Sequence, residues 1–150
     1  MERGEGNNEI IVRRGVLFKK GSGDGPFGRK NWKPRYFVLT SSQLKYYTCE
    51  NGEMKGVLDL TGCTEASVEV MPQDAIKTGS SSSSIWRLAI STSQRRLLIA
   101  ANTELTMNDW GNSILAVIRT HNNDSSSIVS TISTSTSSEH TVELGSLYKF

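Results

Sequence analysis

A chain of 150 residues, 36% of them apolar and with a formal net charge of +2, has room for one independently stable core and is short of two. No stretch approaches the roughly 20 apolar residues of a membrane helix and no apolar leader is visible, so neither a spanning nor a targeting segment is expected. Cys49 and Cys63 stand without a His/Cys cluster, which argues against a metal centre and for two reduced thiols in a cytosolic protein.

The two ends read differently from the middle. Residues 1–9 are polar, and Ser or Thr fills 12 of the 17 positions from 125 to 141. Such composition buries too little apolar surface to offset chain entropy. A domain over 10–121 is therefore expected between a disordered N-terminal tail, 1–9, and a Ser/Thr-rich disordered tail, 122–150.

Residues 10–20 are rich in β-branched side chains and predict a first strand, with Gly15 as a candidate bulge. The segment 21–28 holds four glycines and a proline, which is loop chemistry. Residues 32–40 predict the second strand. Alternation places Lys33, Arg35, Phe37 and Leu39 on one face, and Pro34, Tyr36 and Val38 on the other. Leu17 and Lys19 share a face of the first strand in the same way. Each strand is thus apolar at its middle and cationic toward the loop. Tyr36, Phe37 and Trp110 are assigned to the core, and Trp32 to either rim or core.

A third strand is expected at 43–48, then an Asn-Gly hairpin signal at 51–52 and a fourth strand at 54–60. The fifth is placed at 65–71. Residues 73–84, with their serine run, read as an exposed loop. The sixth and seventh strands fall at 85–90 and 95–101. The period then changes: Met107, Trp110, Ile114, Val117 and Ile118 recur at helical spacing after Thr103, a candidate N-cap. The fold class that follows is mainly β, a seven-stranded, strongly bent antiparallel sheet capped at one end by one C-terminal amphipathic helix.

Charge is not spread evenly over this scaffold. Residues 13–35 hold eight of the seventeen Lys and Arg residues and a single acid, Asp24. The rest of the chain sets nine basic residues against fourteen acidic ones, which leaves no broad basic face and argues against nucleic acid as a partner. The loop end of the first two strands is read as the mouth of an anion-binding site. No Ser/His/Asp or Cys/His arrangement and no coherent carboxylate pair is present, so no enzyme is expected, and no cofactor. Gly21 opens no nucleotide loop, since neither Gly-Lys-Ser/Thr nor a helix follows. His121 and His140 are read as surface residues.

GVLFK at 15–19, WKPRYFVLT at 32–40, LKYY at 44–47 and the helical Trp110 together resemble the pleckstrin-homology (PH) domain family over residues 13–120. Within it they are similar to members that bind 3-phosphorylated inositol lipids, such as those of Tec kinases and cytohesins. The resemblance implies a phosphoinositide-binding module that recruits its protein reversibly from the cytoplasm to the plasma membrane or endomembranes. It assigns Lys19, Lys33 and Arg35 to the 3-phosphate, with Lys19 and Tyr46 reaching the 4-phosphate. Phosphatidylinositol 3,4,5-trisphosphate or 3,4-bisphosphate is the expected lipid. Lys20, Arg29, Lys30 and Lys55 are secondary phosphate or membrane contacts, and Phe27 is placed at the loop tip for shallow insertion. No ligand is assigned between the sixth and seventh strands. A protein-interaction adaptor, engaging a partner through the C-terminal tail, stands as the alternative.

Overall fold

A computed structural model describes residues 9–21, 31–77 and 83–136, with helix side chains as far as Ser125. Seven strands form one antiparallel sheet: β1 (Ile11–Lys20), β2 (Trp32–Thr40), β3 (Gln43–Tyr47), β4 (Met54–Asp59), β5 (Val68–Val70), β6 (Trp86–Ser91) and β7 (Arg96–Ala101). One helix, α1 (Glu104–Thr136), follows. The strand order is β4-β3-β2-β1-β7-β6-β5, so β1 is the hinge between the two flanks. It pairs with β2 along its length but with β7 only through Phe18 and Lys19.

The two flanks close on a single core. Leu17, Phe37, Leu39, Leu44, Leu58, Leu88, Ile90 and Ile99 fill it from the sheet. Met107, Trp110, Ile114, Val117 and Ile118 close one end of it from the helix, so the predicted stripe is the buried one. The Thr103 hydroxyl accepts from the Thr106 amide at 3.1 Å, giving the expected cap. Trp110 meets Phe37 edge to face, with ring centroids 6.5 Å apart.

Local chemistry explains the hairpin between β3 and β4. Asn51 takes the left-handed conformation (φ 60°), which Asn tolerates better than most residues. Gly52 serves clearance instead: a Cβ there would overlap Thr48 Oγ1 and lie 2.8 Å from Cys49 Sγ. Cys49 is exposed in this turn, whereas Cys63 is buried in the core, and both are free thiols.

Several expectations need correction. The irregularity in β1 falls between Ile11 and Arg13, not at Gly15, which lies against Trp110. Tyr36 is only half-buried on the outer face, because alternation that sends Phe37 inward must send its neighbour out. Glu9, just outside the expected domain, is tied to the sheet: its carboxylate accepts from the Ser42 hydroxyl and pairs with Lys45 at 3.2 Å. At the other end α1 runs on to Thr136 instead of stopping near His121. Adding residues to a nucleated helix costs little, and the Thr120 and Ser125 hydroxyls donate back to the carbonyls of Ala116 and His121. His121 itself is half-buried and bonds the Ser41 carbonyl at 2.7 Å, tying the helix to the β2–β3 turn. The tail segments 1–8 and 137–150, with the proposed tail partner site and His140, lie outside the described residues.

The β5–β6 connection is also not simply exposed. Ala75 and Ser83 are buried, and Arg87, only 3% exposed, draws the two ends of the connection onto the outer face of β6. Its guanidinium donates to the Ala75 carbonyl at 2.7 Å, the Ser83 hydroxyl at 2.9 Å and the Ser84 carbonyl at 3.2 Å. It also lies 4.3 Å over the ring of Trp32, which settles that residue as a half-buried outer-face support. Replacing Arg87→Met removes these three hydrogen bonds from a buried strand position. A loss of about 3 kcal/mol in urea unfolding is expected; an unchanged midpoint would show the clasp to be incidental.

Candidate ligand-binding site

At the end of the barrel opposite the helix, an open hollow of about 290 Å³ is lined by Lys19, Gly21, Asn31, Lys33, Arg35, Tyr46 and Lys55. The register makes the convergence necessary. Lys19 faces Lys33 and Leu17 faces Arg35 across the β1–β2 ladder. Side chains on one face of paired strands lie side by side, so the face that carries Leu17 and Phe37 into the core brings Lys19, Lys33 and Arg35 to its mouth. The β1–β2 connection is closed at its base by the Gly21 amide donating to the Asn31 carbonyl at 2.9 Å.

All four principal predicted residues therefore meet, and Lys55 joins them from β4. Lys20 does not: it occupies the opposite face of β1 and sits within electrostatic reach of Asp74 on the outer side. Arg29, Lys30 and Phe27 fall outside the described residues.

Tyr46 owes its place to a glycine that sequence reasoning passed over. Gly56 stands directly opposite it on β4, and a Cβ at that position would overlap the tyrosine Oη and Cζ and lie 2.8 Å from Cε1. The ring thus rests on bare backbone, a packing that any larger residue would displace. Phe37 packs on its inner side, with centroids 5.5 Å apart.

Arg95 is the second residue that was missed. It leaves the β6–β7 turn and donates Nη1 to the Tyr46 hydroxyl at 3.0 Å and Nη2 to the Val57 carbonyl at 3.1 Å. Lys19 Nζ and Arg95 Cζ lie 5.1 Å and 5.6 Å from the centre of the Tyr46 ring. Nothing in the local sequence marks Arg95; the link to Tyr46 spans 49 residues and appears only when the flanks close.

Three cations elsewhere are matched by carboxylates: Lys45 by Glu9, Arg96 by Glu69 and Asp74, Arg119 by Glu65. At the hollow, no carboxylate among the described residues pairs with Lys19, Lys33 or Arg35; Lys55 alone has one, Glu53 at 3.7 Å. The Lys19 ammonium is held below the usual lysine range, chiefly by loss of water; Arg95 and Arg35 add to this and Tyr46 opposes it. Such a site suits a compact polyanion. An arginine fork can take two oxygens of one phosphate, and lysines supply point charges around it. Among the described residues there is no cluster of three His, Cys, Asp or Glu to hold a metal, and no helix long and apolar enough to cross a membrane.

The model of the PH domain matches residues 11–119. Protein daughter of sevenless of Drosophila melanogaster is 31% identical over 100 residues, which is 62% of this chain and 11% of that protein. Human Rho GTPase-activating protein 25 is 43% identical over 49 residues, 32% of this chain and 8% of that protein. The chain thus spans about a tenth of the length of these relatives. Among solved structures, the C-terminal PH domain of human pleckstrin superposes with a TM-score of 0.58 at 26% identity, covering 78% of this chain and 95% of that one. A pleckstrin C-terminal PH domain in complex with D-myo-Ins(1,2,3,5,6)P5 gives a TM-score of 0.54 at 23% identity, over 75% of this chain and 99% of that one.

Two outcomes follow from the geometry. Gly56→Ala forces the Tyr46 ring aside and is expected to cost about 1–3 kcal/mol in urea unfolding, whereas in a Tyr46→Ala background the same change should cost little. An equal cost of Gly56→Ala in both backgrounds would separate Gly56 from Tyr46. The second concerns pH. Because the folded Lys19 binds its proton less tightly than the unfolded chain does, its charge costs stability at neutral pH. That cost is relieved as pH rises through the lowered value toward 10.5. Thermal unfolding of the unliganded protein should show it gaining on Lys19→Met over that alkaline interval; parallel curves would remove the desolvated lysine.

Proposed function

We propose that this chain, which belongs to the PH domain family, is a module that binds the phosphorylated inositol headgroup of membrane lipids and so brings its protein reversibly to a membrane surface. The observation that carries this reading is the group of cations without described carboxylate partners around one open hollow, with the Tyr46 hydroxyl among them. A rigid ring bearing several phosphates offers many acceptors at fixed spacing, and Lys19, Lys33, Arg35 and Tyr46 supply donors from three adjacent strands. The pleckstrin domain that holds an inositol pentakisphosphate has the same architecture, which makes such a headgroup a natural occupant.

The finer assignment is to 3-phosphorylated lipids, the 3,4,5-trisphosphate or the 3,4-bisphosphate. It is supported by the match of Lys19, Lys33, Arg35 and Tyr46 to the pattern of 3-phosphoinositide-binding members. Lys33 and Arg35 would hold the 3-phosphate, Tyr46 the 4-phosphate, and Lys19 would bridge them, with Lys55 at the side. Each cation near an anionic leaflet adds about 1 kcal/mol of attraction that fades within a Debye length. Lys20, Arg29 and Lys30 are assigned that surface role, and Phe27 the shallow contact with the headgroup layer.

Co-sedimentation with vesicles carrying single phosphoinositides tests both levels. Lys33→Ala with Arg35→Ala should weaken binding roughly 30-fold or more, as expected for losing two charge-assisted contacts. Equal pelleting of wild type and double variant on every lipid would end the headgroup reading. Equal binding of the 4,5-bisphosphate and the 3,4,5-trisphosphate would leave that reading in place and remove the 3-phosphate preference.

A further inference from the structure

The Tyr46 hydroxyl has one hydrogen to give, and its surroundings restrict where that hydrogen can go. Arg95 Nη1 donates to Oη at 3.0 Å, and a guanidinium can only donate. The tyrosine oxygen is therefore an acceptor toward Arg95, and its own hydrogen must point elsewhere. Among the described residues no acceptor takes it. Lys19, the other polar group over the ring, is a cation as well, with Nζ 5.1 Å from the ring centre. The open direction is the hollow, which Tyr46 lines together with Lys19, Lys33, Arg35 and Lys55.

Arg95 is fixed in this task. Its second nitrogen donates to the Val57 carbonyl at 3.1 Å, so both arms of the fork are anchored on the β3–β4 pair. It does not line the hollow; it stands beside Tyr46 and acts on whatever enters through the tyrosine. A hydroxyl that accepts from a cation is polarised into a stronger donor, since hydrogen bonds in a chain reinforce one another.

We propose that Arg95 is a positioning residue that commits the Tyr46 hydroxyl to donation into the hollow, so that the place Tyr46 faces selects a phosphate oxygen, an acceptor with no hydrogen of its own. This rests on the headgroup reading above and names how one of its ligands acquires its selectivity. Loss of Arg95 leaves the hydroxyl free to rotate and accept, and the preference for an anionic oxygen at that point relaxes.

The test is a double-variant cycle on the full chain, with soluble inositol 1,3,4,5-tetrakisphosphate as the probe and titration calorimetry as the readout. Arg95→Met is expected to weaken binding about tenfold when Tyr46 is present, the order of one charge-assisted hydrogen bond. In a Tyr46→Phe background the same change should produce only the part of the loss that added salt screens, because a ring without a hydroxyl has nothing to orient. Arg95→Lys, which keeps the charge and a donor, should recover more of the affinity when Tyr46 is present than in the Tyr46→Phe background, where only the salt-screened part returns. An equal factor for Arg95→Met in both backgrounds would overturn the proposal and leave Arg95 as a charge or a brace. Lys33→Ala is the separate control: unchanged probe affinity there, or no binding by the wild type, would bring down the headgroup reading itself.

Discussion

Period-two alternation along two bent, paired strands is the constraint from which the site follows. On β1 and β2 the inward face carries Leu17, Phe37 and Leu39, and their burial fixes which face points in. Once that is set, Lys19, Lys33 and Arg35 have nowhere to go but the rim of the same cavity. A one-residue slip would send the cations to the outer face and the outer residues to the core. The core therefore specifies the cationic mouth, and the hinge role of β1 brings the opposite flank, with Arg95, to within reach of it.

That arrangement works against the stability of the unliganded protein. Carboxylates elsewhere quiet Lys45, Arg96 and Arg119, while the inward-facing cations of β1 and β2 repel one another beside a partly dehydrated ammonium. Scaffold rigidity keeps them in place: the Gly21–Asn31 bond at the base of the β1–β2 loop, and the Trp32 ring stacked on the buried Arg87 behind it. A multiply charged anion placed among them removes repulsion as it makes bonds, so preorganisation here and affinity for a polyanion are two aspects of the same charge distribution.

How much of this was legible beforehand depends on the range of the interaction. The bounds of β2, the helix stripe, the Thr103 cap and the shared face of Lys19, Lys33 and Arg35 all follow from periods and caps within one or two elements, and the structure has each of them. What escaped is non-local. Gly56 matters only because Tyr46 lies over it, and Arg95 only because the β6–β7 turn meets β4. The buried Arg87 reads like an ordinary strand cation, and its burial shows only where the two ends of the β5–β6 connection meet it. Helix length escaped for another reason: Ser and Thr are weak helix formers when isolated, yet they can extend a helix already nucleated by packing.

The contrast between the two thiols has a practical meaning. Cys63 sits in the core, where loss of water pushes its ionisation up and away from neutral pH. Cys49 is open to solvent on the turn joining the strand of Tyr46 to the strand of Lys55. A maleimide dye would therefore attach at one spot, a few residues from the hollow, without engineered cysteines or removal of native ones. Such a reporter, with the native sequence intact, would show by a change in its emission whether the mouth meets a bilayer.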